Sequence, residues 1–455
     1  MTQQGVRWTA DQVLALAPDA SSRKAGSRLG EAGPWSRTGA GERALWGLCK
    51  GSGKNPYQTV VDFAGSSGPA FKCSCPSRKF PCKHALGLLL LWSSGESGVP
   101  GSDEVPDWAG QWLSGRRERA GQRAAPAAAT PEAEEATRRK AQSRAARRAD
   151  RITAGVEELE ERLSDLLRGG IASAEQAGYG WWDETAARMV DAQAPGLASR
   201  VRELGAVAAS GPGWPVRLLE ECALLHLLDR AWQRRDELPE GQAASVRSRI
   251  GLTPPVAGEP ERDRWLVLSQ SDSAAGHLTT RKSWLYGAAS GRTALLLSFG
   301  AAGRAPTLAL PVGLTLDAEV SWREGPVRQR AELGEQFDTV HEAVRPPGVA
   351  MERALAEYGA ALRDDPWLDA VPVALGPVVP VPGDDGWQLA DPAAGTALPV
   401  ARGASAAGLW RLASVSGGEP VTVFGECGHR GFLPLAVWPA GAREADGTRA
   451  LVTLC

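Results

Sequence analysis

The spacing of apolar residues changes character at about positions 115, 150 and 255. Before the first break, glycine-rich turns alternate with short runs, "RALWGLCK", "YQTVVDF" and "AFKCSC", and an almost uniformly apolar stretch, "ALGLLLLW", follows Lys83. Short apolar runs bounded by turn residues predict strands, and the leucine run predicts a buried helix that covers them. Residues 1–115 are therefore expected to form a small ββα-type domain. Residues 116–150 are rich in Ala, Arg, Glu and Pro with almost no large apolar side chain. Such a segment fills no core and predicts a charged linker, flexible through its proline-bearing half and helical as it nears residue 150. From Arg151 the period becomes helical: Ile152, Val156, Leu159, Leu163, Leu166 and Leu167 fall on one stripe that ends at "GG". Similar stretches, punctuated by Pro195, Pro212 and Pro215, predict a bundle of about four helices over residues 151–255. Beyond "GLTPPVAGEPER" the chain breaks into short β runs, with "GAASGR" as a hairpin connection and one helix, "GVAMERALAEYGAALRDDPWL". Residues 256–455 are thus expected to be β-rich and mostly antiparallel, and the fold class is α+β.

Composition narrows the setting. The 455 residues are 43% hydrophobic and 23% charged, ordinary for a globular chain and enough for several cores. No basic segment followed by an apolar core and a small-residue cleavage site opens the sequence, and nothing approaches the ~20 apolar residues of a membrane helix. A cytoplasmic location is expected, and in a reducing compartment clustered cysteines favour metal over disulfides. The net charge of −2 divides into +9 over residues 1–151 and −11 over the remainder. The basic end suits a polyanion or an acidic protein surface, or is simply a solvated face.

That basic end also holds the chemistry. "FKCSCPSRKFPCKHALGLLLLW" places Cys73, Cys75, Cys82 and His84 within twelve positions, spaced C-x-C-x6-C-x-H. Residues at i and i+2 of an extended strand share a face, which suits Cys73 and Cys75. On a helix the same offset would splay Cys82 and His84 by ~200°, so Cys82 must precede the helix and His84 enter its first turn. Pro81 suits that turn. A Cys–His nucleophile has no use for two further cysteines, and a redox pair would show C-x-x-C at a helix N-terminus. Three thiolates and an imidazole complete a tetrahedral zinc set with no position open for water, which makes one structural Zn²⁺ the expected cofactor. Lys72, Arg78, Lys79 and Lys83 offset its formal charge of −1.

The spacing followed by an Ala/Leu helix resembles the SWIM-type zinc finger. With "WGLCKGSGKNPYQTVVDF" before it and "PDWAGQWLSGRRERA" after it, the sequence is similar to bacterial SWIM zinc finger proteins. The resemblance is specific over residues 45–92 and only one of layout over 150–455. It implies zinc on Cys73, Cys75, Cys82 and His84, and a role in protein or DNA interaction. It also suggests work beside MoxR-type AAA+ ATPases and von Willebrand A domain proteins.

Other motifs carry less. "CKGSGKNP" lacks the P-loop pattern, since Leu48 and Asn55 occupy required positions, and is expected to be a β turn. Cys427 and His429, with Cys455, lack a C-x-C partner for a second metal. Cys222 and His226 sit among leucines and read as core packing, while His277 and His341 have no companions. Trp108 and Trp112 are at i and i+4 beside Arg116, Arg117 and Arg119, either a base-stacking array or a pair packed on the finger with solvated arginines. No nucleophile elbow, H-E-x-x-H or dinucleotide fingerprint occurs. The expected function is a non-enzymatic zinc-binding adaptor whose finger contacts a protein partner. The alternatives are nucleic-acid binding, with Arg78, Lys79, Phe80 and Lys83 as contacts, and an enzyme site within 151–455.

Overall fold

The structure, a computed structural model, describes residues 7–454 except 15, 42, 52, 54, 64–68, 78, 80, 96, 103, 125–130, 276–277, 302–305, 307, 309, 326–328, 341–343 and 440–450. It is a mixed α+β protein: strands and short helices at the N-terminus, then a helical region, then a β-rich region.

Two helices, α1 (Ala10–Leu14) and α2 (Ala20–Ser27), precede an antiparallel sheet in the order β1 (Trp35–Ala40), β2 (Ala44–Cys49), β3 (Tyr57–Asp62), β4 (Ala70–Cys73). Helices α3 (Lys83–Ser93) and α4 (Asp107–Ala124) follow. The expected ββα unit is thus larger, because "WSRTGA" and the opening helices carry too little apolar periodicity to be read. Alternation along β2 and β3 sets the layers. Leu45 and Val61 face a cluster with α3, whereas Ala44, Trp46 and Val60 face α4 through Ala109 and Leu113. Every residue of α3 from His84 to Trp92 is buried, as its apolar circumference requires. Its close approach to the turn after α2 depends on Gly87, where a Cβ would lie 2.5 Å from Leu29 Cβ.

Helix α5 (Pro131–Arg168) begins inside the expected linker, and α4 reaches into it from the other side. Ala, Arg, Glu and Lys are strong helix formers, so a helix nucleated in the bundle propagates backwards through sequence that fills no core. The bundle comprises the second half of α5 with α6 (Ser173–Asp191), α7 (Pro195–Ala208), α8 (Trp214–Gln233) and α9 (Glu240–Ile250). Ile152, Val156, Leu159, Leu163 and Leu166 are buried in its core, but Leu167 is exposed. Pro195 lies in the first turn of α7 and Pro215 in that of α8, where a missing N–H costs nothing.

Strands β5 (Glu261–Ala275), β6 (Leu278–Gly287), β7 (Thr293–Ala301), β8 (Thr315–Trp322) and β9 (Arg330–Val340) close into a barrel of order β5-β6-β7-β9-β8. Its β7–β9 pair is parallel and the rest are antiparallel. "GAASGR" does connect β6 to β7, and the Asp263 carboxylate accepts from the Ala289 and Ser290 N–H groups of that turn. Then come α10 (Met351–Asp364), β10 (Ala370–Val381), β11 (Gln388–Asp391), β12 (Thr396–Pro399), α11 (Ala406–Ser416), β13 (Val421–Gly428), β14 (Gly431–Trp438) and β15 (Val452–Thr453). These strands form a six-stranded sheet of order β12-β11-β10-β13-β14-β15. Helix α11, unread in the sequence, is capped by Ser405, whose side chain accepts from Gly408 N–H.

The parts share cores. One apolar cluster runs from Leu45, Val61 and Leu86 of the finger region to Trp265, Leu316 and Trp322 of the barrel, and the Arg43 guanidinium donates to Gln336 O at 2.9 Å across that junction. The barrel meets the last sheet through Leu266, Trp284, Phe424 and Trp438. Trp367 reaches into the bundle core and donates its indole N–H to Leu224 O at 2.9 Å, beside an Arg249–Asp365 ion pair at 2.8 Å.

Candidate metal centre

The four residues singled out by spacing converge. One donor atom from each of Cys73, Cys75, Cys82 and His84 lies within 4.8 Å of the others. Cys73 ends β4, Cys75 follows in the bend, Cys82 caps α3 with extended backbone (φ −76°, ψ 167°), and His84 stands in the first turn. The helix geometry inferred from the two-residue offset is therefore the observed one, while only Cys73 of the first pair remains in the strand. Cys73 Sγ and His84 Nδ1 are 3.6 Å apart, against ~3.5 Å for a sulfur and a nitrogen on one tetrahedral zinc ion. The donor set fits one Zn²⁺ with Nδ1 as the imidazole ligand. His84 and Cys82 are buried, and Cys73 and Cys75 are partly so.

The surroundings are built for negative sulfur. Backbone N–H groups of Cys75, Ser77 and Ala85 act on the sulfurs of Cys73, Cys75 and Cys82 respectively, each favouring thiolate. Without a cation the sulfurs compete for charge. The hydrogen bond from Cys82, then those from His84 and Thr59, hold the Cys73 thiol well below the usual thiol range against burial. The same hydrogen bond, burial and the Cys73 charge push Cys82 up. Burial first of all pushes Cys75 up. A divalent ion removes that competition by stabilising all three thiolates at once.

Two neighbours escape a reading of the sequence. Thr59, fully buried and paired with Cys73 across β3–β4, has its hydroxyl 3.4 Å from Cys73 Sγ, and the Tyr57 ring lies 4.7 Å from the His84 ring. The alternation of "YQTVVDF" puts Tyr57, Thr59 and Val61 on one face, but their register against Cys73 is not written in it. The Thr59 hydroxyl supports a ligand as an outer-shell donor, so Thr59→Val should weaken zinc binding by about 10- to 100-fold in a chelator competition. An unchanged affinity would make the contact incidental.

Lys72, Lys79 and Lys83 are exposed around the centre, whereas Arg78 and Phe80 lie outside the described residues. Lys79 is already engaged: its ammonium is 2.6 Å from Asp19, and this bond together with the Ser22 N–H holds the Asp19 carboxyl down to about 2. Trp108 and Trp112 pack on the outer face of the sheet, and Arg116, over the Trp112 ring, pairs with Asp62 at 2.9 Å, while Arg117 and Arg119 stay at the surface. "CKGSGKNP" is the connection between β2 and β3. Cys427 is buried in β13, and His429 Nδ1 lies 2.9 Å from the Tyr358 hydroxyl, which itself donates to Leu368 O. Cys222 is core, as its leucine neighbours suggest, but His226 is not: it is exposed and bonds Glu160 at 2.6 Å. His277, His341 and Cys455 lie outside the described residues.

The Cys3His donor set joins a strand end to a helix start in the arrangement of a zinc finger. Residues 72–92 match the family model of the SWIM zinc finger, and residues 147–250 match that of the SWIM-associated four-helix bundle domain. No curated protein and no solved structure matches the chain. Among the described residues, no helix is long and apolar enough to cross a membrane.

Proposed function

We propose that the protein is a non-enzymatic adaptor whose zinc-stapled finger presents a rigid surface to a protein partner. The observation that carries this reading is the closed centre. Cys73, Cys75, Cys82 and His84 would supply all four positions of a tetrahedral zinc ion, leaving none for a substrate or an activated water. A zinc ion held by these residues would fix the relative position of β4 and α3 and so shape the surface bearing Lys72 and Lys83. Exposed cations around the metal suit an acidic protein face. Nucleic-acid contact by the finger is the weaker reading, because Lys79 already spends its charge on Asp19. Assembly with an AAA+ ATPase is one form the partner takes under this proposal.

The test is affinity capture from native lysate by the full chain and by a Lys72→Ser/Lys83→Ser variant. The variant should keep one zinc per chain and lose the captured protein. Equal capture by both would remove the finger surface from the interface.

A further inference from the structure

The first half of α5 stands clear of the bundle. Residues 135–147 are exposed at every position, and burial begins only at Arg148 and Ala149. At ~1.5 Å per residue these exposed residues make a rod of roughly 20 Å. Lys140, Arg144, Arg147, Arg148 and Arg151 recur at helical spacing, and at about 100° per residue all five fall within one third of the circumference. Arg148 and Arg151 turn back onto the bundle, donating to Gln193 O at 3.2 Å and Gln193 Oε1 at 2.9 Å. Lys140 and Arg147 project beyond them, and exposed Arg144, whose Nε donates to Lys140 O at 3.4 Å, lines a shallow cavity with Arg148, Ala149 and Leu252. The ion pair this half makes among the described residues, Arg139–Glu135, lies on another face.

A face that only needed to be soluble would intersperse acids. Here Lys140–Arg144, Arg144–Arg148 and Arg147–Arg151 are like-charge pairs at i and i+4, each of which destabilises the helix. The remaining side chains from 136 to 149 are Ala, Thr, Gln, Ser and the outlying Arg138 and Arg139. No aromatic or branched aliphatic residue is present to anchor a protein interface. What such a face recognises is dense negative charge, and its alanine-sized girth matches the roughly 12 Å width of the B-form major groove. The deep, narrow major groove of A-form RNA would not admit it.

We infer that the N-terminal half of α5 docks on double-stranded DNA, with its cations on backbone phosphates and no base-specific contact. This site is separate from the finger surface proposed above and stands whether or not that surface binds protein.

The experiment titrates the full-length, zinc-loaded chain with a mixed-sequence DNA duplex, double-stranded RNA and poly-glutamate of equal charge, at salt from about 50 to 200 mM. The duplex should bind most tightly, with affinity falling steeply as salt rises. Alanine is the best helix former, so Lys140→Ala/Arg144→Ala/Arg147→Ala should leave the helix intact. It should flatten the plot of log affinity against log salt by about 2.7, at about 0.9 for each phosphate that is no longer neutralised. Removing three exposed cations from the α2 region, by Arg23→Ala/Lys24→Ala/Arg28→Ala, should leave the slope as in the wild type. Poly-glutamate binding as tight as the duplex would assign the face to an acidic protein, and RNA binding as tight would refute groove docking. An unchanged slope in the α5 variant, or equal losses in both variants, would overturn the assignment.

Discussion

Replacing Cys82 with serine should abolish stoichiometric zinc and unfold the region spanned by α1 to α4. Cys82 is the most deeply buried of the four donors and stands at the N-cap position of α3. A structural zinc contributes about 10–16 kcal/mol of apparent stability in small finger peptides at neutral pH. That is comparable with the whole stability of an ordinary domain, ~5–15 kcal/mol. Metal analysis should therefore fall from one ion per chain to none, with protease cleavage opening between β1 and α3. Because Leu45, Val61 and Leu86 share a cluster with Trp265 and Leu316, the barrel should also lose stability. A variant without metal that resists protease as the wild type does would show that packing alone holds the finger.

The second large effect lies in the bundle. Asp229 on α8 is fully buried, and neither carboxylate oxygen has a hydrogen-bond partner among the described residues. Burial, with a smaller contribution from the Glu160 charge, pushes its carboxyl up to about 8. Between the unfolded value near 4 and that folded value, the native chain holds a proton that the unfolded chain has released. Stability from this group is therefore fully present below pH ~4, falls by about 1.4 kcal/mol per unit as pH rises, and levels off above pH ~8. Over four units the total is about 5 kcal/mol. Asp229→Leu should remove the slope and raise stability at pH 8, read from denaturant unfolding followed by helical circular dichroism across pH 4–8. The same slope in variant and wild type would show that Asp229 does not set it.

How much of the molecule is legible in its sequence depends on how far apart the deciding contacts lie. The four ligands fall within twelve residues, so strand and helix periods suffice to place Cys82 before α3 and His84 inside it. Thr59 requires the β3–β4 register, which alternation leaves undetermined. The stripe from Ile152 to Leu166 is readable because one helix face meets one core, but exposed Leu167 shows that the stripe's edge is set by neighbours. The segment before residue 150 does lack the side chains to fill a core, yet core-filling and helix formation are different questions. Alanine and arginine answer the second by propensity alone, as α5 shows. Closure of the barrel through the parallel β7–β9 pair, and the insertion of Trp367 beneath α8, depend on partners that no local pattern names.

The hydrogen bond from Arg43 to Gln336 joins positions 293 residues apart. During synthesis at roughly 5–20 residues per second, the finger region, which ends with α4 at Ala124, is made roughly 10 to 40 s before Gln336 of β9 exists. Through that interval its apolar face lacks the complete barrel that it shares a core with, while all four metal ligands are already in place within the first hundred residues. Zinc supply during translation, rather than in the finished protein, would then decide how many chains reach the assembled state.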